Sequence, residues 1–144
     1  MASGDSGPYL KYALFCRETE EGPGDELALK GVVDLVEFPF PEGERKDGPV
    51  LGEVDLHLAF CIAGAEPGPH HLLVAIKAPG APLDPPPPQR IEWEEGILFQ
   101  RWIRVFRIPV QAPGRHTAAI LFDGYPLGEA SFLVRFKPQA RSEG

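Results

Sequence analysis

The stretch "PVQAPGRHTAAILFDGYPLGEASFLVRF", Pro109 to Phe136, constrains the fold more than any other part of the chain. Asp123 and Gly124 stand between Phe122 and Tyr125, with apolar runs on both sides. A two-residue type I′ turn needs positive φ at both central positions, and Asp-Gly supplies it. The sequence therefore predicts two antiparallel strands here, led in by the Pro113-Gly114 turn; the alternative is a longer loop over "DGYPLG". In the hairpin, Phe122 faces Tyr125, Leu121 faces Pro126 and Ile120 faces Leu127. Beyond that point the apolar set Ala130, Phe132, Val134 and Phe136 has switched parity. A one-residue slip turns every side chain to the other face, so a bulge is expected, at Gly128–Glu129. On this reading Asp123 and Gly124 are turn chemistry and mark no active site.

The same punctuation runs through the chain. Sixteen Gly and 17 Pro in 144 residues fall mostly between apolar runs, which separates many short elements. "YLKYALFC" (9–16) reads as a first strand, and "RETEEGPGDE" as an exposed acidic turn. "LALKGVVDLVEF" reads as one strand region with a bulge or close backbone approach at Gly31. A polar turn, "PEGERKDGP", follows. "VLGEVDLHLAFCI" has the cleanest period of two: Val54, Leu56, Leu58, Phe60 and Ile62 face one way, and Glu53, Asp55, His57, Ala59 and Cys61 the other. "HHLLVAIKA" is its expected antiparallel neighbour. Pro85 to Pro88 should follow an extended path, either as a stiff crossover between sheets or as a ligand for aromatic grooves, the crossover being favoured. "RIEWEE" fits a short edge strand. Residues 96–107 fit a helix by length, but their β-branched content and the terminal Ile-Pro-Val favour a strand.

Seven or eight strands with little or no helix predict an all-β, antiparallel two-sheet sandwich. It forms one domain over 9–137 with flexible tails at 1–8 and 138–144. A net charge of −7 opposes binding to phosphate backbones, so nucleic acid is not an expected partner. No apolar stretch reaches the roughly 20 residues of a membrane span, and residues 1–10 lack the pattern of a secretory signal, so a cytoplasmic location is expected. A disulfide between Cys16 and Cys61 is geometrically conceivable; the compartment argues for two buried thiols instead.

Three groups of residues carry chemistry worth weighing. Glu53, Asp55 and His57 share one strand face and are the candidate metal ligands, set against an ordinary solvated face. Arg101, Trp102, Arg104 and Arg107, near Arg90, Trp93 and Phe106, form a basic–aromatic segment able to bind an anion, an acidic peptide or a single nucleic-acid strand. The competing reading lays the arginine stems over apolar surface with their heads on Glu. Neighbours His70 and His71 point to opposite faces of a strand and cannot readily chelate together; His116 is expected to cap a strand end. No nucleophile elbow, phosphate loop or dinucleotide fingerprint is present.

Two stretches resemble a family of small bacterial β-sandwich proteins known only as a domain of unknown function. "KYALFCRETEEGPGDELALKGVVDLVEFPFP", with Gly31 and Asp34, is similar to that family's opening strands. "PGRHTAAILFDGYPLGEASFLV" is similar to its closing hairpin. The chain departs from the family at His116-Thr117, where an aromatic is usual, and at Pro85–Pro88. The resemblance implies an immunoglobulin-like fold and a bacterial intracellular setting, and it carries over no catalytic residue. The expectation from sequence is thus a non-enzymatic binding or assembly module without a cofactor, working through a protein partner or self-association and not at a membrane. A metal- or small-ligand-binding protein using Glu53, Asp55 and His57 is the alternative, and an anion or single-strand binder through 101–107 the weaker one.

Overall fold

The computed structural model describes residues 7–39, 52–80 and 84–137. Nine strands follow in order: β1 (Tyr9–Glu21), β2 (Leu27–Val32), β3 (Leu35–Phe38), β4 (Gly52–Ala63), β5 (Gly68–Lys77), β6 (Gln89–Trp93), β7 (Phe99–Val110), β8 (Gly114–Phe122) and β9 (Tyr125–Phe136). They form a four-stranded sheet, β2-β1-β4-β7, and a five-stranded sheet, β3-β9-β8-β5-β6. Every pairing is antiparallel except β3 with β9. The fold is all-β and sandwich-like, and no helix among the described residues is long and apolar enough to cross a membrane.

The period-two pattern of β4 places it at the centre of the first sheet. Val54, Leu56, Leu58, Phe60 and Ile62 are all buried in the core between the sheets. Ala59 and Cys61, on the opposite face, are buried as well. They are small, and they lie opposite Leu14 and Ile103, and Tyr12 and Arg101, on the flanking strands. The second sheet contributes Leu72, Val74, Ile120, Phe122, Phe132 and Val134. Phe15 meets Phe132 edge-on across the interface, ring centroids 5.1 Å apart. That geometry adds to simple area burial.

Several expectations are corrected. Among the described residues there are nine strands instead of seven or eight, because "LALKGVVDLVEF" is divided between the two sheets. Val33 N–H donates to the Phe15 carbonyl in the first sheet, and from Asp34 the chain joins the second, whose Leu133 N–H donates to the Asp34 carbonyl. Gly31 is a close approach: a side chain there would meet Arg17 Cγ at 3.1 Å. The first strand runs on through Glu21, so the acidic turn is shorter than expected. β5 is not the neighbour of β4; both edges of β4 are taken by β1 and β7, and β5 crosses to pair with β8 and β6. Residues Pro85 to Pro88 therefore lie between two strands of one sheet and make no crossover between sheets.

Residues 99–110 are a strand, and "RIEWEE" does supply an edge strand, β6. Cys16 and Cys61 are both free and buried. The hairpin turn forms as expected, with φ of 51° at Asp123 and 85° at Gly124. Phe122 pairs with Tyr125 and Leu121 with Pro126, but Ile120 pairs with Gly128. The extra residue is Leu127, ahead of the expected Gly128–Glu129. Parity is restored one step sooner, and the Leu127 side chain packs against the core. The turn "PEGERKDGP" and the tail 138–144 lie outside the described residues.

Candidate functional site

The Asp-Gly turn does more than reverse the chain. Asp123 N–H donates to the His71 carbonyl at 2.8 Å, which continues the β5–β8 pairing by one step beyond Leu72 and Phe122. The Asp123 carboxylate returns the contact: Oδ1 accepts from His71 N–H at 2.8 Å, and Oδ2 lies 2.6 Å from His70 Nδ1. His70 Nε2 is 2.6 Å from the Glu66 carbonyl. A carboxylate and a carbonyl only accept, so both short bonds need both imidazole N–H groups. This geometry favours the imidazolium form of His70, which joins the β4–β5 loop to the β8–β9 turn.

Burial opposes the charge on His70, but the bonds to Asp123 and to the Glu66 carbonyl outweigh it and raise its pKa above the ordinary value. For Asp123, burial pushes the carboxyl up; the bonds from His70 and His71 override it and hold the group below the usual carboxylate range. The ring is further fixed by stacking on Phe122 at 4.8 Å and by the edge contact with Trp93 at 6.5 Å. Trp93 is itself held by Nε1–H donating to the Ile97 carbonyl at 2.9 Å.

His70 and Asp123 line a cleft of about 550 Å³. Gly7 and Pro8 ahead of β1, Gly64 and Glu66 in the β4–β5 loop, Phe122 ending β8, and Tyr125 and Leu127 opening β9 complete it. That volume lies within the range of small-molecule sites. Gly64 fixes one wall: its φ is +82°, and a Cβ there would stand 2.6 Å from the Gly7 carbonyl oxygen. Tyr125 is 73% exposed at the rim, an aromatic surface open to a ligand.

The residues singled out from sequence are placed elsewhere. Arg107 Nε donates to Asp55 Oδ1 at 2.9 Å and lies 3.8 Å from Glu53, while His57 Nδ1 shares a 3.3 Å hydrogen bond with Thr19 Oγ1 on β1. The strand-face trio is thus divided among other partners. Among the described residues no group of three His, Cys, Asp or Glu is arranged to hold a metal. The basic–aromatic segment does not converge either. Arg101 donates to the Asp25 carbonyl at 2.7 Å, Arg104 to Gln89 Oε1, and Arg107 to Asp55. Trp102 stacks on core Phe60 at 5.3 Å and packs against the core.

His116 lies inside β8, fully buried and stacked on Phe132 at 5.1 Å. Its Nδ1 is 3.1 Å from the Gly114 carbonyl, and Nε2 has no hydrogen-bond partner among the described residues. Sequence reasoning missed the pair of His70 and Asp123 because 53 residues separate them. The one available signal was a carboxylate in the turn where Asn would serve equally well.

No family model matches the chain, and no curated protein matches it. Among solved structures, the Pseudomonas fluorescens alkylpurine DNA glycosylase AlkC, bound to DNA containing an abasic site analog, is similar over 92% of this chain and 31% of that one. The identity is 16% and the TM-score 0.49. The expectation of a non-enzymatic binding or assembly module is corrected here. The sequence reading found no catalytic motif, and His70 with Asp123 is a histidine–carboxylate pair that it did not identify. At this level of likeness neither that enzyme's activity nor its DNA passes to this chain.

Proposed function

We propose that the cleft between the β4–β5 loop and the β8–β9 turn is the functional site, and that it binds a small molecule beside a proton-carrying pair. The observation that carries this reading is the 2.6 Å contact between His70 Nδ1 and Asp123 Oδ2 in the wall of a cleft of about 550 Å³. Titratable groups with shifted pKa values in a concave, largely apolar site are the usual mark of binding or proton transfer. His70 carries the proton. Asp123 orients the ring and stabilises its charge.

The strand order supports an immunoglobulin-like reading. β1, β4 and β7 correspond to strands A, B and E of such folds, and β5, β8 and β9 to C, F and G, with β6 beside C. The inter-sheet disulfide of antibody domains has no counterpart, since Cys16 and Cys61 both lie in the four-stranded sheet. Two free thiols suit a reducing, cytoplasmic setting, and the family resemblance of both chain ends fits the same picture.

A fragment screen followed by amide chemical shifts tests the site. Binders are expected to move Tyr125, Leu127 and His70 in the wild type and to weaken in His70→Gln. Binders that leave those three residues unmoved and perturb the outer face of the four-stranded sheet would overturn the reading.

A further inference from the structure

The chemistry of the cleft wall narrows the ligand class, an inference that rests on the cleft being the binding site. Its polar groups are nearly all acceptors. Both imidazole N–H groups of His70 are already committed to Asp123 and Glu66. The Asp123 carboxylate accepts two bonds and remains 40% exposed, with lone pairs to spare. Glu66 brings a second carboxylate to the lining. Two carboxylates against one imidazolium leave the wall with a net negative charge, within a chain of net charge −7. The remaining lining is apolar or aromatic: Pro8, Phe122, Leu127 and the exposed ring of Tyr125.

We infer that the cleft takes an organic cation, an amine or similar nitrogen donor on an apolar or aromatic body. The cationic head bonds the Asp123 carboxylate and the body lies against Tyr125 and Leu127. Aromatic faces attract such a cation directly, and the acidic surface raises its local concentration. Because the head and the His70 imidazolium are like charges held beside one carboxylate, binding favours loss of the His70 proton to solvent. The charged groups around His70 are Asp123 from the turn and Glu66 from the loop. β6 adds Glu92, opposite Pro69, and Arg90, opposite His71, and those two pair with each other at 3.1 Å.

Three probes of one shape test this on the full chain: benzylamine, benzyl alcohol and benzoate, titrated while cleft amides are followed by NMR. Benzylamine is expected to bind about tenfold more tightly than the alcohol, the factor equivalent to about 1.4 kcal/mol. Its affinity should rise with pH through the His70 titration, and Asp123→Asn should remove the preference while leaving alcohol binding in place. Equal affinity of amine and alcohol in the cleft, tighter binding of benzoate, or an amine affinity indifferent to pH overturns the cation inference and leaves the cleft as a site. If none of the three perturbs His70, Tyr125 or Leu127, the inference and the proposed site both fail.

Discussion

His70 and His116 are two buried or half-buried imidazoles with opposite electrostatics. Burial depresses His116, and the single bond to the Gly114 carbonyl does not offset it. The unfolded chain therefore takes up this proton first, so stability is intact above the ordinary histidine value of about 6.5 and drains as pH falls below it. His116→Phe keeps a ring on Phe132 and removes the buried Nε2, which has no partner among the described residues. The loss in urea midpoint between pH 7.5 and pH 5 should be smaller in this variant than in the wild type; an equal loss would count against a neutral buried His116. His70 works the other way. Its raised pKa makes its contribution complete below the ordinary value and lost as pH rises through the folded one. The lowered carboxyl of Asp123 is favourable above its ordinary value and is lost as pH falls through the folded one. Asp123→Asn retains the turn, because Asn also adopts positive φ, but sets an amide donor against one of two donors. Charge-assisted hydrogen bonds contribute about 1.5–3 kcal/mol. With this carboxylate 40% exposed, screening reduces the expected loss near pH 6 to about 1 kcal/mol. Denaturation across pH should show that deficit shrinking above the His70 pKa.

At the scale of elements, the β4–β5 connection carries the cleft, and Gly64 carries the connection. Its left-handed backbone and its approach to the Gly7 carbonyl leave no room for a Cβ. Gly64→Ala is expected to destabilise by about 1–3 kcal/mol, with faster amide exchange at the start of β1; exchange unchanged there would contradict the wall assigned to Gly7 and Pro8. This element also shows what the sequence could and could not convey. The alternation from Val54 to Ile62 identified β4 and its core face, because one strand's pattern is local. Its partner was misread, because sequence adjacency suggested a hairpin with β5 while β1 and β7 had already claimed both edges. Parity in β9 required a bulge, but its position at Leu127 depends on what the cleft wall packs against. The carboxylates of β4 drew attention as ligands, yet their partner Arg107 lies 52 residues from Asp55 and was invisible to strand-face reasoning.

Across the whole molecule, the two sheets serve to bring three distant segments to one end. The lead-in to β1, the loop after β4 and the turn after β8 meet there, and the contacts of His70 with Glu66 and Asp123 join two of them. The core that fixes this arrangement, from Phe60 and Leu58 in one sheet to Ile120 and Phe132 in the other, is unremarkable in chemistry. The proposed site lies at that end, where acceptors, aromatic surface and the His70–Asp123 pair coincide. A titration of the His70 ring protons by NMR, in wild type and in Asp123→Asn, tests this most directly. The account predicts that His70 titrates above the ordinary histidine value and drops when the carboxylate is replaced. A wild-type His70 that titrates at or below the ordinary value, and ignores Asp123→Asn, would contradict it.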